Sequence, residues 1–546
     1  MRSFRLATAL VLVALLGSAC FSAPGGDGGG LEARRPRQDA GPAQPGGVFR
    51  YALPSDARSL DPHSQSSFNT HIAIGSTYSK LVDFRTGPDI PYGAPELEGD
   101  LAESWEPSPD GRTWTFHLRR GVRFHDVAPV NGREFTAQDV LCTVQRIREL
   151  PGHQVSQLAM VQDVTAPDPY TVVFHLTEPY AEFDTNLAGH FMWMLPCEGT
   201  RGEFDLATTA IGTGPYVLER WERDRERVLT AHPDYYVEGQ PYIDRIEISI
   251  VPDQAAAIAA FRTGQTDYLS ALTLDTRQAQ RILDENPEAV LFREQGLTQT
   301  RVYMNQERAP FDDLRVRRAV ALAIDRQGMI DSIRAGGSPT AAVTPTLFGG
   351  LPAEEVTRLQ PHDPEQARRL LAEAGYPQGF STKMIITDGY GENVVREAQW
   401  VQQDLAKVGI QVELVVQDYA TYFTESFAGK NYDMGYGLQT PMLSADEYLS
   451  GEWTSDGPRN WYGIADPALD QMILRQRGEL DRAARERQLH DIQRYIIENV
   501  SNPVPLYVYD GLSIYAPYVH DVFPHPDYGT RHQARMWLGP EAPGRE

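Results

Sequence analysis

Apolar positions along the chain switch repeatedly between a period of two, which marks strands, and a period near 3.6, which marks helices. Alternation predicts strands at residues 47–53 and 169–176, at 246–251, and in two runs within 101–126 around an Asp110-Gly111 turn, where Trp114, Phe116 and Leu118 alternate. Helical spacing predicts a helix over 66–82, a second opened by Thr136, and a third capped by Asp253, carrying Ala256, Ala257, Ala260 and Phe261 and ending at Gly264. Gly212-Thr213-Gly214-Pro215 reads as a tight turn into a strand, with no helix N-terminus behind it to hold a phosphate. Near mid-chain, residues 301–305 read as a short strand. A helix follows whose stripe is Leu314, Ala319, Val320, Ala323 and Ile324. Asp312 and Asp313 stand at its N-terminus, where carboxylates are favoured, and Arg315, Arg317, Arg318 and Arg326 are expected on its other faces. By pattern alone this is an ordinary strand–helix unit. Beyond it the alternation of types is regular. Asp363 and Pro364 open a helix closed by Gly375, another helix ends at Gly409, strands are expected at 383–387, 410–416, 432–438 and 503–509, and two helices cover 467–499.

A strand-rich first half and an alternating second half predict an α/β protein whose lobes differ in sheet character. At 546 residues the chain exceeds one hydrophobic core, so at least two lobes are expected. The net charge of −24 leaves no basic stripe for phosphates and excludes nucleic acid as a partner. The N-terminus adds a compartment. Arg2 and Arg5 precede an apolar run over 6–16, and Leu16-Gly17-Ser18-Ala19-Cys20 follows with small residues before a thiol. This pattern predicts a signal peptide over 1–19, lipidation of Cys20, and a Gly/Pro-rich tether over 20–46. Cys142 and Cys197 remain as either a disulfide in that oxidising compartment or two separate buried thiols.

Catalytic patterns are missing: no GxSxG, no HExxH, no Walker A and no dinucleotide fingerprint. His520, His525 and His532 come nearest to a cluster, and in a Pro-rich tail they are expected on the surface rather than around a metal. Aromatics are more informative. Tyr436, Trp453, Trp461 and Tyr462 fall in Gly- and Asn-containing loops, where flat apolar walls suit a ligand cleft. The run Phe191-Met192-Trp193-Met194 reads as core packing.

Several of these stretches together resemble one family, the family 5 solute-binding proteins of ABC transporters for oligopeptides, dipeptides and nickel. The resemblance rests on Asp56-Ala57-Arg58-Ser59-Leu60-Asp61-Pro62 and Leu101-Ala102-Glu103-Ser104-Trp105-Glu106. It continues through Leu118-Arg119-Arg120-Gly121-Val122-Arg123-Phe124-His125-Asp126, Phe135-Thr136-Ala137-Gln138-Asp139-Val140, Gly212-Thr213-Gly214-Pro215-Tyr216, and the stretch 310–319. It implies a two-lobed periplasmic-binding-protein-like fold of the class II type. Lobe I would be 47–300 plus 505–546, with an extra subdomain at about 85–195, and lobe II 301–504. The crossing strands would be 302–305 and 505–509, and closure would bury a peptide or similar small solute for an ABC permease. The implied protein is a monomeric, extracytoplasmic, membrane-anchored receptor with no cofactor and no enzymatic activity. A sensor presenting its liganded form to a signalling partner, or a hydrolase on the same scaffold, are the competing readings. By resemblance and aromatic content the ligand contacts fall at Phe68, Asn69 and Thr70, at Tyr436, Gly437, Leu438, Gln439 and Thr440, and at Asn460, Trp461 and Tyr462. One departure stands out. Peptide-binding members carry Gly-Trp and then an acid that pairs with the peptide amine. Here the run is Gly437-Leu438-Gln439-Thr440-Pro441-Met442, with no acid before Asp446.

Overall fold

The computed structural model describes residues 41–544, apart from 65–66, 91, 151–156, 271–273, 275, 335, 391, 420, 440 and 528. The leader over 1–19, Cys20 and most of the tether therefore lie outside the described residues. No helix among the described residues is long and apolar enough to cross a membrane.

One eleven-stranded sheet organises the molecule, and two long antiparallel strands run through its middle. Val290–Met304 and Val504–Tyr515 pair with each other along most of their length. On their outer edges they take different partners. Residues 300–304 pair with Met434–Leu438, which is joined in turn to Phe380–Thr387 and Ile410–Gln417. Residues 514–515 pair with Tyr268–Leu269, which leads to Val48–Leu53, Arg245–Ile250, Glu226–Ala231 and Tyr216–Glu222. Each crossing strand therefore belongs to both lobes. The ladder between them breaks at 296–298, where three residues face one. Gly296 stands at this bulge because a Cβ there would meet the Tyr509 carbonyl oxygen at 2.5 Å.

Each lobe has its own core. Phe49, Ile246, Ile248, Leu291 and Ile514 pack in the first lobe, and Val302, Val320, Ile386, Val401 and Leu506 in the second. The first lobe also carries a four-stranded antiparallel sheet. Ala102–Pro107, Thr113–Leu118, Thr171–Leu176 and Val161–Asp168 are adjacent in that order, and Trp114, Phe116 and Phe174 point inward from alternate positions. The helix Ala137–Glu149 closes one side, opened by a capping box between Thr136 and Asp139. Cys142 and Cys197 are joined, which settles the pairing left open by the sequence.

Several expectations change. The helix expected over 66–82 spans only Phe68–Ile74. Gly75 presses on the Thr530 backbone, and residues 76–77 leave the helix to accept the amides of Gly214 and Tyr216. Gly212 and Gly214 are required there, since a Cβ on either would overlap the Thr77 backbone. Arg317 and Arg326 do not decorate outer faces. Both are buried: Arg317 donates to the Val500 and Phe311 carbonyls, and Arg326 to Ala321 and Gln360. The strands read at 301–305 and 503–509 are the second-lobe ends of much longer ones.

Candidate ligand-binding site

A cavity of about 650 Å³ opens where the crossing strands pass between the lobes. Strand alternation places Phe49, Tyr51 and Leu53 on one of its faces. Their rings continue into Tyr268 and Tyr515: Tyr51 meets Tyr268 edge-on at 5.6 Å, and Tyr268 stacks on Tyr515 at 4.4 Å. The opposite wall is supplied by Tyr390, Tyr419, Leu438 and Gln439, and Tyr509 comes from the crossing strand itself. Tyr390 and Tyr419 pack edge-to-face at 5.4 Å. Such aromatic surfaces carry a large apolar area and a specific stacking geometry.

The polar groups on the wall are hydroxyls, side-chain amides and the imidazoles of His525 and His532. The Asn69 amide donates to Ser55 Oγ at 3.0 Å, and Thr530 Oγ1 to Ser76 Oγ at 3.0 Å. His532 is kept neutral because burial pushes its pKa down to about 4. Among the described lining residues there is no Asp, Glu, Lys or Arg. Charges occur one layer behind, and they are paired. Arg301 meets Glu452 at 2.6 Å, Arg334 meets Glu397 at 2.6 Å, Lys80 meets Asp527 at 2.8 Å, and Arg293 meets Asp510. Burial opposes the Arg301 and Lys80 cations, yet their partner carboxylates more than offset it and raise both pKa values.

The residues singled out in the sequence divide among several environments. Asn69, Leu438 and Gln439 line the cavity. Thr70 is buried beside it, donating to the Ser59 carbonyl at 2.9 Å. Phe68 begins the helix Phe68–Ile74, whereas Thr440 and Cys20 lie outside the described residues. Tyr436 faces the second-lobe core and donates to Glu397 at 2.9 Å. Gly437 pairs with Arg301, and its missing side chain makes room for the Tyr422 hydroxyl. Asn460 spends its amide on the carbonyls of Thr454, Ser455 and Ile464. Trp461 packs edge-on against Phe423 and Phe427, and Tyr462 is fully buried under Arg301.

The histidine expectation is corrected. None of the three is on the open surface: His520 is buried on Trp537, while His525, stacked on Phe84 at 4.2 Å, and His532 are part-buried and form part of the cavity wall. The tail folds back over the first lobe, a tertiary event that local polarity cannot show. Most of the tyrosine wall was also missed. Its one local signal was the alternation of Phe49 and Tyr51. Asp446, the first acid after the divergent run, is elsewhere: it is buried against Arg477 and Gln476.

A groove of about 660 Å³ between the four-stranded subdomain and the helices after 444 has similar volume, but Asp456, Arg459, Asp470 and Arg477 line it and no crossing-strand residue does. The interlobe cavity is thus the better-formed ligand site. Two lobes joined by paired crossing strands, with an aromatic cavity at the seam, define a solute-binding protein of the periplasmic type. Comparison with known proteins agrees. Residues 96–461 match the family model for bacterial extracellular solute-binding proteins, family 5 (middle region). The chain is 30% identical to heme-binding protein A of Haemophilus influenzae over 68% of its own length and 70% of that protein's. It is also 30% identical to the dipeptide-binding protein of Escherichia coli, over 76% of this chain and 77% of the other. In structure it resembles the periplasmic binding protein DppA of Helicobacter pylori in complex with the peptide STSA, with a TM-score of 0.74, 25% identity, and coverage of 91% and 99% of the two chains. The chain belongs to the family 5 extracellular solute-binding proteins of ABC transporters. It is an extracytoplasmic binding protein and not an enzyme.

Proposed function

We propose that this protein captures a small solute, a peptide or a molecule of similar size, in the interlobe cavity and delivers it to the membrane subunits of an ABC importer. The observation that carries this reading is the tyrosine-walled cavity of about 650 Å³ set across the two crossing strands. Its volume suits a ligand of drug or dipeptide size. Relatives whose names specify dipeptides support the peptide class. Ligand contacts are proposed at Asn69, Leu438 and Gln439, with Phe68 and Thr440 beside them. Thr70, Tyr436, Gly437, Asn460, Trp461 and Tyr462 support that wall from behind.

The lobes divide at about 300 and 504, so that closure twists the paired strands about the bulge at 296–298. The protein works as a monomer tethered through lipidated Cys20, with residues 1–19 removed. Two experiments test this. Native mass spectrometry of the mature protein, incubated with a dipeptide library, is expected to show one ligand per chain, released on denaturation. Failure of every library member and of a broad metabolite extract to bind would overturn the reading. Metabolic labelling with palmitate is expected to mark the wild type and not Cys20→Ala. An unlabelled wild type would remove the anchor.

A further inference from the structure

We infer that the cavity takes an uncharged ligand, one that offers a flat face to the tyrosines and an N–H or O–H donor to Gln439. The inference rests on the interlobe cavity being the ligand site. Its first support is the wall itself. A free dipeptide carries an ammonium and a carboxylate, and each must meet an opposite charge or remain in water. The described wall provides no Asp, Glu, Lys or Arg, and of its two imidazoles His525 is already turned to the buried Asp527 carboxylate, with Nδ1 at 3.4 Å. The ions behind it are already matched, Arg301 with Glu452 and Lys80 with Asp527, and they are shielded by the side chains in front. Recruiting one of them to a ligand would leave its partner buried and alone. His532, held neutral by burial, offers no cation near neutral pH.

The second support is Gln439, which is only 2% exposed. Its Nε2 lies 2.8 Å from Glu452 Oε1, which as a carboxylate can only accept, so the donor end of the amide must face Glu452. Arg301 fixes Glu452 in turn, at 2.6 Å. The amide is therefore oriented, and its Oε1 has no hydrogen-bond partner among the described residues. A buried acceptor left unpaired is costly; solvent does not reach this one, so the wall must shift on ligand entry for a ligand donor to satisfy it. Pro441 and Leu438, on the same wall, add apolar surface where a carboxylate would be needed for an amine.

Amides and hydroxylated rings share this donor chemistry, so the test has an arm for each. Calorimetry on the intact mature protein would compare free Ala-Phe, N-acetyl-Ala-Phe-amide, cyclo(Ala-Phe) and a neutral disaccharide. At least one uncharged probe is expected to bind about tenfold or more tighter than the free dipeptide. Its affinity should move by less than roughly twofold between low and high salt. Preference for the capped or cyclic dipeptide identifies an amide ligand, and preference for the disaccharide a hydroxylated one. Free Ala-Phe binding as tightly as the uncharged probes overturns this inference alone, as does binding by no probe; the solute-capture reading falls only if the dipeptide library and the metabolite extract fail as well. As a second readout, Leu438→Asp is expected to shift the preference about tenfold toward the free amine. An unchanged preference in a variant of unchanged melting temperature counts against the inference.

Discussion

His125 is held as a neutral imidazole by burial, and its ring makes two hydrogen bonds of opposite sense. The Gly212 amide donates to its Nδ1 at 3.3 Å, and its Nε2 donates to the Gly214 carbonyl at 3.0 Å. Burial pushes its pKa down to about 3, the neighbouring His232 ring adds to the shift, and the bond to the Gly214 carbonyl opposes it. Burial likewise holds His63 near 3 and His532 near 4. In the unfolded chain these rings bind a proton near pH 6.5, which the folded protein refuses until much lower pH. Stability is therefore complete above about 6.5 and falls as pH drops toward 4, by up to about 1.4 kcal/mol per pH unit for each histidine. Urea midpoints measured at several pH values check this, and His125→Gln is expected to flatten the slope. Gly437 gives a second residue-scale expectation. A Cβ there would lie 2.1 Å from the Tyr422 hydroxyl, which accepts from Tyr303 and donates to the Tyr436 carbonyl. Gly437→Ala should cost about 1–3 kcal/mol in thermal or urea unfolding, and weaken ligand binding by displacing the adjacent Leu438. Neither role was legible in the sequence, which shows a residue's type but not what the fold brings against it. Arg317 and Arg326 teach the same lesson: helical spacing marked them as outward, and carbonyls at a helix junction drew them in.

At the scale of elements the sequence was far more legible, because caps and periods are local. Asp253, Asp313 and Asp363 each accept a backbone amide at the helix start where the pattern put them, and Gly264 and Gly375 have the positive φ of a helix C-terminus. The crossing strands were only half read. Val290–Met304 is interrupted by Gly296 and carries Arg293, Gln295 and Gln299, so its first-lobe end shows no clean alternation. The disulfide tests how far one element leans on a covalent tie. Cys142 on the helix Ala137–Glu149 is bound to Cys197, 55 residues away. A loop of that length corresponds to about 4 kcal/mol in the chain-entropy account. Reduction, or a Cys142→Ser/Cys197→Ser double substitution, is expected to lower the guanidinium midpoint. Ligand affinity should hold in conditions where the subdomain stays folded, since the cavity is lined by other segments.

For the whole molecule, the lobes are also gripped at a second place, outside the crossing-strand ladder. The segment after Thr171–Leu176 reaches the second lobe: Glu182 pairs with Arg485 at 2.8 Å and accepts the Asp446 amide at 3.1 Å, while Glu178 meets Arg477 at 3.4 Å. Glu182 and Arg485 are both buried, so Glu182→Gln strands a cation, a loss of about 3–5 kcal/mol for a broken buried pair. Part of that loss should appear as opening. Small-angle scattering of ligand-free protein is expected to give a larger radius of gyration for the variant, with faster ligand release. An unchanged radius and release rate would deny the contact a role in closure. This grip was invisible in the sequence because its partners are about 300 residues apart, as was the tyrosine wall, assembled from six distant segments. The two-lobed plan itself was legible through ordered motifs. One further consequence follows from where the described chain starts and stops. The Gly46 amide donates to the Tyr242 carbonyl, and Arg50 donates to the Pro543 carbonyl, so both ends rest on the same lobe. Dyes attached at the two ends would keep a fixed separation and be blind to solute. A pair placed at 543 and at Val416, 56% exposed on the far edge strand of the other lobe, would change its energy transfer on closure and turn the protein into an optical gauge of its own ligand.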